Sequence, residues 1–327
     1  MKKNDLRIVF MGTPEFARES LRALVEGGYR IVGVVTMPDK PAGRHGSVLQ
    51  ASPVKQYALS QRIPVMQPDK LNGETFLREL KAWQADLHIV VAFRMLPEPV
   101  WHMPRFGSFN LHASLLPRYR GAAPINWAII NGEKETGVTT FFLTHGMDTG
   151  RIIMQRRVPI AGDADAGAVH DRLMTAGAIL VLETVDLLLE HDGLVPTIPQ
   201  EQLVTDGAAT LHTAPKIFID TRRIDWRQPA GKVYDFIRGL SPVPAAWTEL
   251  VFDDGERIPL KIFQTEILRE THPLHPGSIR ANAVDGHLDV AATDGFVRLL
   301  SLQTAGKKRM SARDFLNGTR RAFSTVE

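Results

Sequence analysis

The sequence contains no cysteine, and its 327 residues include only 4 tyrosines and 5 tryptophans. A chain without cysteine has no disulfide, no thiolate metal site and no cysteine nucleophile, which is compatible with a cytosolic protein. No stretch approaches the roughly 20 apolar residues of a membrane span. The apolar run after Arg7 is too short for a signal peptide and predicts a first strand. We therefore expect a cytoplasmic protein.

Charge is present in ordinary amount but is unevenly placed. The net charge of +3 lies entirely after Gly207, where 17 Lys and Arg stand against 14 Asp and Glu. Between Ala305 and Phe323 the only acid is Asp314, among six basic residues: Lys307, Lys308, Arg309, Arg313, Arg320 and Arg321. This cluster is either a solvated surface or a footprint for nucleic-acid phosphates.

The N-terminal part alternates apolar runs with amphipathic segments. Strands are predicted at residues 6–11, 31–36, 64–67, 87–92, 107–112, 137–144 and 152–160, and helices at 14–25, 53–61, 73–83, 124–131 and 166–191. Strands that alternate with helices predict an α/β fold with a doubly wound, Rossmann-like and mostly parallel sheet. Ligands of such sheets bind at the carboxyl ends of the strands.

The C-terminal part has a different pattern. Residues 192–215 have few apolar residues and several Pro, Gly and Thr, so we predict a linker there between a domain at 1–191 and one at 216–327. After a helix at 232–240, short strands are predicted at residues 247–252, 258–268, 277–281, 288–292 and 296–302. Several short strands with Gly and Asp turns predict a smaller, OB-like β-barrel.

The first strand, turn and helix do not match a dinucleotide-binding fingerprint. Gly12 stands alone, and Pro14 and Phe16 occupy positions where the G-x-G-x-x-G pattern requires glycine. This mismatch argues against a nicotinamide or flavin cofactor.

The most informative residues lie at the end of the strand predicted at 107–112. Asn110 and His112 are two residues apart, so their side chains point to the same face, and Asp148 follows in a glycine-flanked loop. Taken singly, His112 could be a core histidine and Asp148 a turn cap. Together they supply a hydrogen-bond donor, a proton-transfer group and a carboxylate, as transfer of an acyl group between nitrogens requires.

The ordered motifs resemble the folate-dependent formyltransferases, most closely those that act on methionyl-tRNA. The motifs lie at residues 10–16 (FMGTPEF), 38–44 (PDKPAGR), 52–55 (SPVK), 110–117 (NLHASLLP), 118–125 (RYRGAAPI), 135–139 (ETGVT), 146–150 (GMDTG), 223–226 (RIDW) and 303–310 (QTAGKKRM). One segment departs from the family pattern: residues 92–97 read AFRMLP, one residue shorter than usual and without the glycine. That segment looks more like the pterin loop of glycinamide ribonucleotide formyltransferases.

The resemblance implies a reaction and a set of site residues. The formyl donor would be 10-formyltetrahydrofolate, the acceptor the α-amine of initiator methionyl-tRNA, and the catalytic residues Asn110, His112 and Asp148, with no metal. Folate-binding positions would be Phe93, Arg94, Met95, Leu96, Ser114, Leu115, Leu116, Pro117, Thr144, His145, Gly146 and Met147. Lys40, Arg44, Lys307, Lys308 and Arg309 would bind tRNA phosphates. We expect residues 1–191 to be catalytic, residues 216–327 to bind tRNA, and the chain to be a monomer.

Three other functions remain open on the sequence. A sugar-nucleotide or amino-sugar formyltransferase would share Asn110, His112, Asp148 and a barrel-like tail. A hydrolase that releases formate from the same folate is a second alternative, and a noncatalytic RNA-binding protein on a transferase scaffold is a third. The basic residues favour tRNA over a sugar, and the complete Asn, His and Asp set argues against a noncatalytic protein.

Overall fold

A computed structural model describes residues 2–42, 48–204 and 211–327 of the chain. The chain divides into two compact units. The first contains Met1–Gly121, Glu135–Pro159 and His170–Thr213, and the second contains Ala122–Lys134, Ile160–Val169 and Ala214–Glu327. In the described part of the chain, no helix is both long and apolar enough to cross a membrane.

The first unit is an α/β structure. Its strands are β1 (Arg7–Gly12), β2 (Arg30–Val35), β3 (Lys40–Ala42), β4 (Val48–Gln50), β5 (Val65–Met66), β6 (Leu87–Val91), β7 (Ser108–His112), β8 (Arg120–Gly121), β9 (Glu135–Phe142) and β10 (Ile152–Pro159). Its helices are α1 (Glu15–Glu26), α2 (Pro53–Ser60), α3 (Glu74–Ala82), α4 (Glu98–Trp101) and most of a long helix at Ala166–Glu190. A short 3-10 helix follows at Gln200–Leu203.

The main sheet of this unit has the predicted mostly parallel form. Its strand order is β10-β9-β7-β6-β1-β2-β5. The five strands from β7 to β5 run parallel, whereas β9 pairs antiparallel with β7 and β10 pairs antiparallel with β9. The α/β prediction is therefore confirmed.

Helices cover both faces of this sheet. Val9, Met11 and Val90 pack with Phe76 and Leu80 of α3 on one face. The opposite face packs against α1 and the long helix at Ala166–Glu190: an ideal Cβ at Gly177 would meet the side chain of Leu111 at 2.7 Å. Because side chains alternate along a strand, Asn110 and His112 project away from that helix.

The second unit contains a barrel-like sheet. Its helices are α5 (Pro124–Ile130), α7 (Ala230–Leu240) and α8 (Ala312–Gly318). The long helix Ala166–Glu190 is α6; it begins in this unit and lies mostly in the first. The short strand β11 (Thr213–Ala214) and a 3-10 helix at Asp220–Arg222 come first. The strands that follow are β12 (Ala246–Phe252), β13 (Arg257–Leu268), β14 (Ile279–Asn282), β15 (His287–Ala291), β16 (Phe296–Thr304), β17 (Met310–Ser311) and β18 (Phe323–Val326).

This second sheet is antiparallel and nearly closes on itself. Its order is β14-β15-β16-β13-β12-β18, with β17 paired to β16. The two outer strands meet where Ser278 bridges Thr325 and the backbone N–H of Val326 donates to the carbonyl of Gly277 at 2.9 Å. Strand closure removes exposed sheet edges and encloses a core that includes Val233, Ile237, Leu260 and Leu299. The barrel prediction is confirmed.

Candidate active site

The strand β7 ends in the two polar residues that the sequence singles out. Asn110 pairs with Val90 of β6 and Phe141 of β9, and His112 pairs with Thr139 of β9. Asn110 is half-buried, and in the described part of the chain its side chain makes no hydrogen bond. An amide held by its strand and left without a protein partner is available to bind a substrate oxygen.

His112 is buried between a backbone carbonyl and a carboxylate. Its Nε2 lies 2.8 Å from the carbonyl oxygen of Tyr119. Its Nδ1 lies 3.8 Å from Oδ2 of Asp148. A carbonyl oxygen only accepts hydrogen bonds, so Nε2 carries a hydrogen and donates it. The other ring nitrogen, Nδ1, faces Asp148.

Asp148 is held by its backbone as well as by its carboxylate. Its Oδ2 accepts a hydrogen bond of 3.0 Å from the backbone N–H of Gly121. Its φ of 54° lies in the left-handed region, which Asp adopts more readily than most residues. At Gly150 an ideal Cβ would lie 1.6 Å from the carbonyl oxygen of Phe142, so only glycine fits there. The loop therefore approaches the sheet backbone closely just after the aspartate.

A residue that the sequence analysis missed also contacts this loop. The side chain of Gln200 is 1% exposed, and its Nε2 donates to the carbonyl oxygens of Asp148 and Gly150, each at 2.8 Å. Its Oε1 accepts from Nε of Arg120 at 3.0 Å. Gln200 lies within the segment predicted as a linker, and a lone glutamine after prolines gives no sequence signal of such a role.

The segment after β7 is fixed by internal hydrogen bonds. The buried hydroxyl of Ser114 donates to the carbonyl of Arg118 at 2.7 Å. The backbone N–H of Leu116 donates to Oγ1 of Thr139 at 3.2 Å, and its carbonyl accepts from Gln155 at 2.8 Å. The side chain of Leu116 packs with Phe141 and Ile152.

The neighbouring predicted folate contacts in this segment also meet protein. Leu115 lies against Gly137 of β9, where an ideal Cβ would meet its side chain at 2.5 Å. The peptide bond between Leu116 and Pro117 is cis. Residues 114–117 thus shape the end of β7, and their folate contacts stay a prediction.

The loop that departs from the family pattern is anchored by its arginine. Arg94 donates from Nη1 to the carbonyl of Asp69 at 2.8 Å and from Nη2 to that of Pro68 at 2.5 Å. Its guanidinium also lies 5.5 Å from the ring centre of Phe93. Leu96 is buried in the core below, whereas Met95 is 65% exposed. The arginine supports the loop, and the methionine is its exposed apolar side chain.

The loop before Asp148 lies against α4. The ring of His145 packs edge-on against Trp101 with centres 5.3 Å apart, and its Nε2 lies 3.7 Å from a carboxylate oxygen of Glu98. The hydroxyl of Thr144 lies 3.3 Å from that of Thr149. Met147 is 59% exposed, and Gly146 precedes it. This loop and the 93–96 loop each present an exposed methionine.

The predicted tRNA-binding residues differ in whether their charged groups already contact other residues of the protein. Lys40 is exposed on β3, whereas Arg44 lies outside the described residues. Lys307 and Lys308 are exposed in the turn after β16. Arg309 donates from Nε to the hydroxyl of Ser301 at 2.6 Å and stacks over Phe263 at 4.5 Å. Arg309 thus has its guanidinium partly engaged within the barrel.

Among the described residues, no group of three or more His, Asp or Glu side chains is arranged to hold a metal ion. The end of β7 and the loop at Asp148 hold an amide, an imidazole with a fixed Nε2 donor, and a carboxylate. This set can bind a developing negative charge and move a proton.

Comparison with known proteins places this geometry in a family. A formyl transferase model matches residues 6–185, and a model of the formyl transferase C-terminal domain matches residues 216–320. Methionyl-tRNA formyltransferase of Parabacteroides distasonis is 66% identical, with 97% of each chain covered. The protein of the same name from Bacteroides fragilis is 61% identical, covering 97% of this chain and 96% of its own.

Solved structures share the fold at low sequence identity. HypX from Aquifex aeolicus in complex with tetrahydrofolic acid has a TM-score of 0.63 and 18% identity, over 98% of this chain and 51% of that one. WlaRD, a sugar 3N-formyl transferase, has a TM-score of 0.63 and 18% identity, over 93% of this chain and 99% of its own. At this identity the likeness shows the fold alone. The near full-length relatives go further, and the chain belongs to the methionyl-tRNA formyltransferase family.

Proposed function

We propose that the chain transfers the formyl group of 10-formyltetrahydrofolate to the α-amino group of methionine esterified to initiator tRNA. The product is N-formylmethionyl-tRNA, which serves translation initiation in the cytoplasm. The observation that carries the proposal is the pair of His112 and Asp148, with Nδ1 and Oδ2 3.8 Å apart at the end of β7. We assign catalysis to residues 1–191 and tRNA binding mainly to residues 216–327.

Asn110 and His112 would act on the formyl oxygen. As the methionyl nitrogen bonds to the formyl carbon, negative charge develops on that oxygen. The Asn110 amide, without a protein partner in the described chain, can donate a hydrogen bond to it, and His112 adds a positive charge once it has taken the proton of the attacking amine. The loss of one such donor typically lowers the rate by about 10²–10³.

His112 would also carry the proton that the exchange requires. The new bond joins the formyl carbon to the methionyl nitrogen, and the bond from that carbon to N10 of the folate breaks. The attacking nitrogen loses one proton and N10 gains one, so the reaction needs no oxidant or reductant. Nδ1 of His112 is free to accept and return this proton, because Nε2 is committed to the carbonyl of Tyr119.

Asp148 would balance the charge on the imidazole. Its Oδ2 faces Nδ1 and is itself held by the N–H of Gly121. A fixed carboxylate stabilises the imidazolium and orients the ring, and through a water molecule it can accept a proton.

The loops at residues 93–96 and 144–147 present apolar side chains of the kind that bind a folate. Met95 and Met147 are both largely exposed, and their flexible thioether side chains can pack against the face of a flat ligand. Phe93 adds a half-buried ring beside Met95. Apolar walls with a few fixed polar groups are typical of sites for flat organic ligands. We therefore assign pterin binding to residues 93–96, assisted by residues 114–117 and 144–147.

The tRNA would be bound largely through phosphates. Lys40, Lys307 and Lys308 are exposed, so their ammonium groups can reach a nucleic-acid backbone. Arg309 would contribute less, since Ser301 and Phe263 already engage it. Arg44 belongs to the same proposal by its sequence position alone.

The decisive experiment supplies purified chain with 10-formyltetrahydrofolate and one of three acceptors: charged initiator tRNA, an amino-sugar nucleotide, or water alone. We expect formylmethionyl-tRNA to form, with no formyl sugar and only slow formate release. Preferred formylation of the sugar, or rapid formate release without acceptor, would refute the proposal.

Variants test the assigned site. His112→Ala and Asp148→Ala are expected to lower kcat by at least about 10² while circular dichroism and thermal unfolding stay unchanged. The matched control is His191→Ala, which removes an exposed histidine after α6. Full activity in either site variant would remove the assignment.

A further inference from the structure

Gln200 lies behind the proposed catalytic pair rather than in it. It is among the most buried polar residues of the first unit, although its neighbours Glu201, Gln202 and Leu203 are exposed. Its segment is joined to the main sheet by two backbone hydrogen bonds of 2.9 Å between Ile198 and Ile152. A buried polar side chain that extends from such an anchored segment requires hydrogen-bond partners.

The contacts of Gln200 define which way its amide points. Two carbonyl oxygens, of Asp148 and Gly150, face one end of the amide, and that end must be the nitrogen because carbonyls only accept. The guanidinium of Arg120 faces the other end, which must be the oxygen because a guanidinium only donates. Both N–H groups and the oxygen are thus used.

Hydrogen bonds hold Asp148 at both its backbone and its carboxylate. The side chain of Arg120 holds Gln200, and Gln200 holds the carbonyl of Asp148. The next residue, Gly121, donates its N–H to the carboxylate of the same aspartate. The aspartate backbone has φ of 54°, a conformation that needs support from its surroundings. Gln200 supplies that support on one side and Gly121 on the other.

We infer that Gln200, held by Arg120, is a positioning residue for formyl transfer: it fixes the backbone of residues 148–150 so that the Asp148 carboxylate faces Nδ1 of His112. Gln200 itself touches neither His112 nor the reacting atoms. The inference rests on the proposed function, because it assigns a purpose to the geometry of the proposed catalytic pair.

The test uses Gln200→Glu, a change that keeps the size of the side chain. The carboxylate still accepts from Arg120, but it donates nothing, so the carbonyls of Asp148 and Gly150 lose their partner. We expect kcat to fall by about 10², the loss that a displacement near 1 Å can cause, with KM for folate and tRNA within about twofold of the original. The matched control is Gln202→Ala, two residues along the same 3-10 helix and exposed, which should have no effect.

The split between kcat and KM separates positioning from loss of structure. If Asp148 turns away from His112, proton transfer slows while the surfaces that bind folate and tRNA stay intact, so kcat falls and both KM values hold. Partial unfolding instead lowers the circular dichroism signal and the urea midpoint together with kcat. An unchanged kcat, or a lower kcat in a folded variant with raised KM values, would overturn the inference.

A second variant covers the case in which Gln200→Glu does not fold. Arg120→Ala keeps the side chain of Gln200 and removes the guanidinium that holds it, so it should lower kcat by a smaller factor, again with both KM values held. An unchanged kcat in folded Arg120→Ala would overturn the inference. Absence of formylation by the unsubstituted chain would instead refute the proposed function, so the two failures are distinguishable.

Discussion

His88 gives a test of the fold that is independent of catalysis. It lies in the centre of the parallel sheet, on β6 between Val9 and Ser108, and is fully buried. In the described structure neither ring nitrogen has a hydrogen-bond partner of good geometry. Burial lowers the pKa of His88 from 6.5 to about 4, against a smaller opposing effect of the Val100 backbone. The folded chain therefore keeps this ring neutral, whereas the unfolded chain protonates it near pH 6.5.

The difference between the folded and unfolded pKa values of His88 determines how much the free energy of unfolding falls at low pH. Below pH 6.5 the unfolded state binds a proton that the folded state does not, so the free energy of unfolding falls as the pH falls. Each pH unit is worth about 1.4 kcal/mol, and the range from 6.5 to about 4 therefore removes about 3 kcal/mol. Above pH 6.5 this contribution is complete and constant. Below about pH 4 it is lost, and His88 causes no further change.

The perturbation is His88→Leu, which has similar volume and no titrating group. We expect the variant to be as stable as the original chain at pH 7.5, or more stable, since two unsatisfied nitrogens are removed. Urea unfolding from pH 7.5 to 4.5, with hydrogen exchange of the β6 amides as a local probe, measures the difference between the chains. That difference should change by about 1 kcal/mol or more for each pH unit below 6.

The control for this experiment is His191→Leu, in which an exposed histidine is replaced and the original pH dependence should persist. Carboxylates also titrate in this range, but they are common to all three chains and cancel in the differences. A parallel decline in stability for the original chain and His88→Leu would show that the buried histidine does not carry the effect, and the reasoning would be wrong.

Three further changes have defined outcomes. Asp289→Asn should lower the free energy of unfolding by about 2 kcal/mol, because two partly exposed arginines lose the charge of the buried carboxylate that both contact. Charge reversal at Lys307 and Lys308 should raise KM for tRNA about tenfold and weaken its salt dependence, with KM for folate unchanged. Gly150→Ala should lower kcat more than tenfold, since its Cβ would meet backbone and displace the loop that carries Asp148.

Each of these changes has a matched control in the chain. Asp285→Asn replaces an exposed carboxylate in the turn between β14 and β15. Charge reversal at Lys70 and Lys81 alters exposed lysines of the first unit, and Gly162→Ala adds a Cβ to open space. Urea unfolding, steady-state kinetics at two salt concentrations and kcat provide the three readouts. Equal effects in a variant and its control would contradict the corresponding prediction.

The α/β part of the fold was accessible to sequence reasoning because burial dictates its pattern. The strands β1, β6 and β7 are covered on both faces, so they read as short apolar runs with clear ends, and their predicted bounds differ from the observed ones by one residue. Because side chains alternate along a strand, the prediction of β7 also placed Asn110 and His112 on one face. A strand that helices cover on both faces can therefore be recognised in the sequence as a short apolar run.

Elements that depend on distant partners were not predicted. The sequence indicates no strand at Phe323–Val326, yet β18 pairs there with β12, about 70 residues earlier, and contacts β14. The helix α8 has 7 residues and a Ser311 cap but little periodicity. The sequence also indicates no strand between residues 36 and 53, where β3 and β4 pair with each other. Short elements gain stability from tertiary pairing, which local patterns do not record.

The candidate site shows why side-chain motifs describe only part of a catalytic arrangement. Three consecutive residues after β7 contact the proposed catalytic groups through different atoms: the carbonyl of Tyr119 fixes the tautomer of His112, the guanidinium of Arg120 holds Gln200, and the N–H of Gly121 holds Asp148. Two of these contacts use backbone atoms, which every residue has, so their role depends on φ values of 60° and 128° rather than on side-chain identity. The sequence names the proposed catalytic groups, whereas the path of the chain at residues 119–121 determines how they face one another.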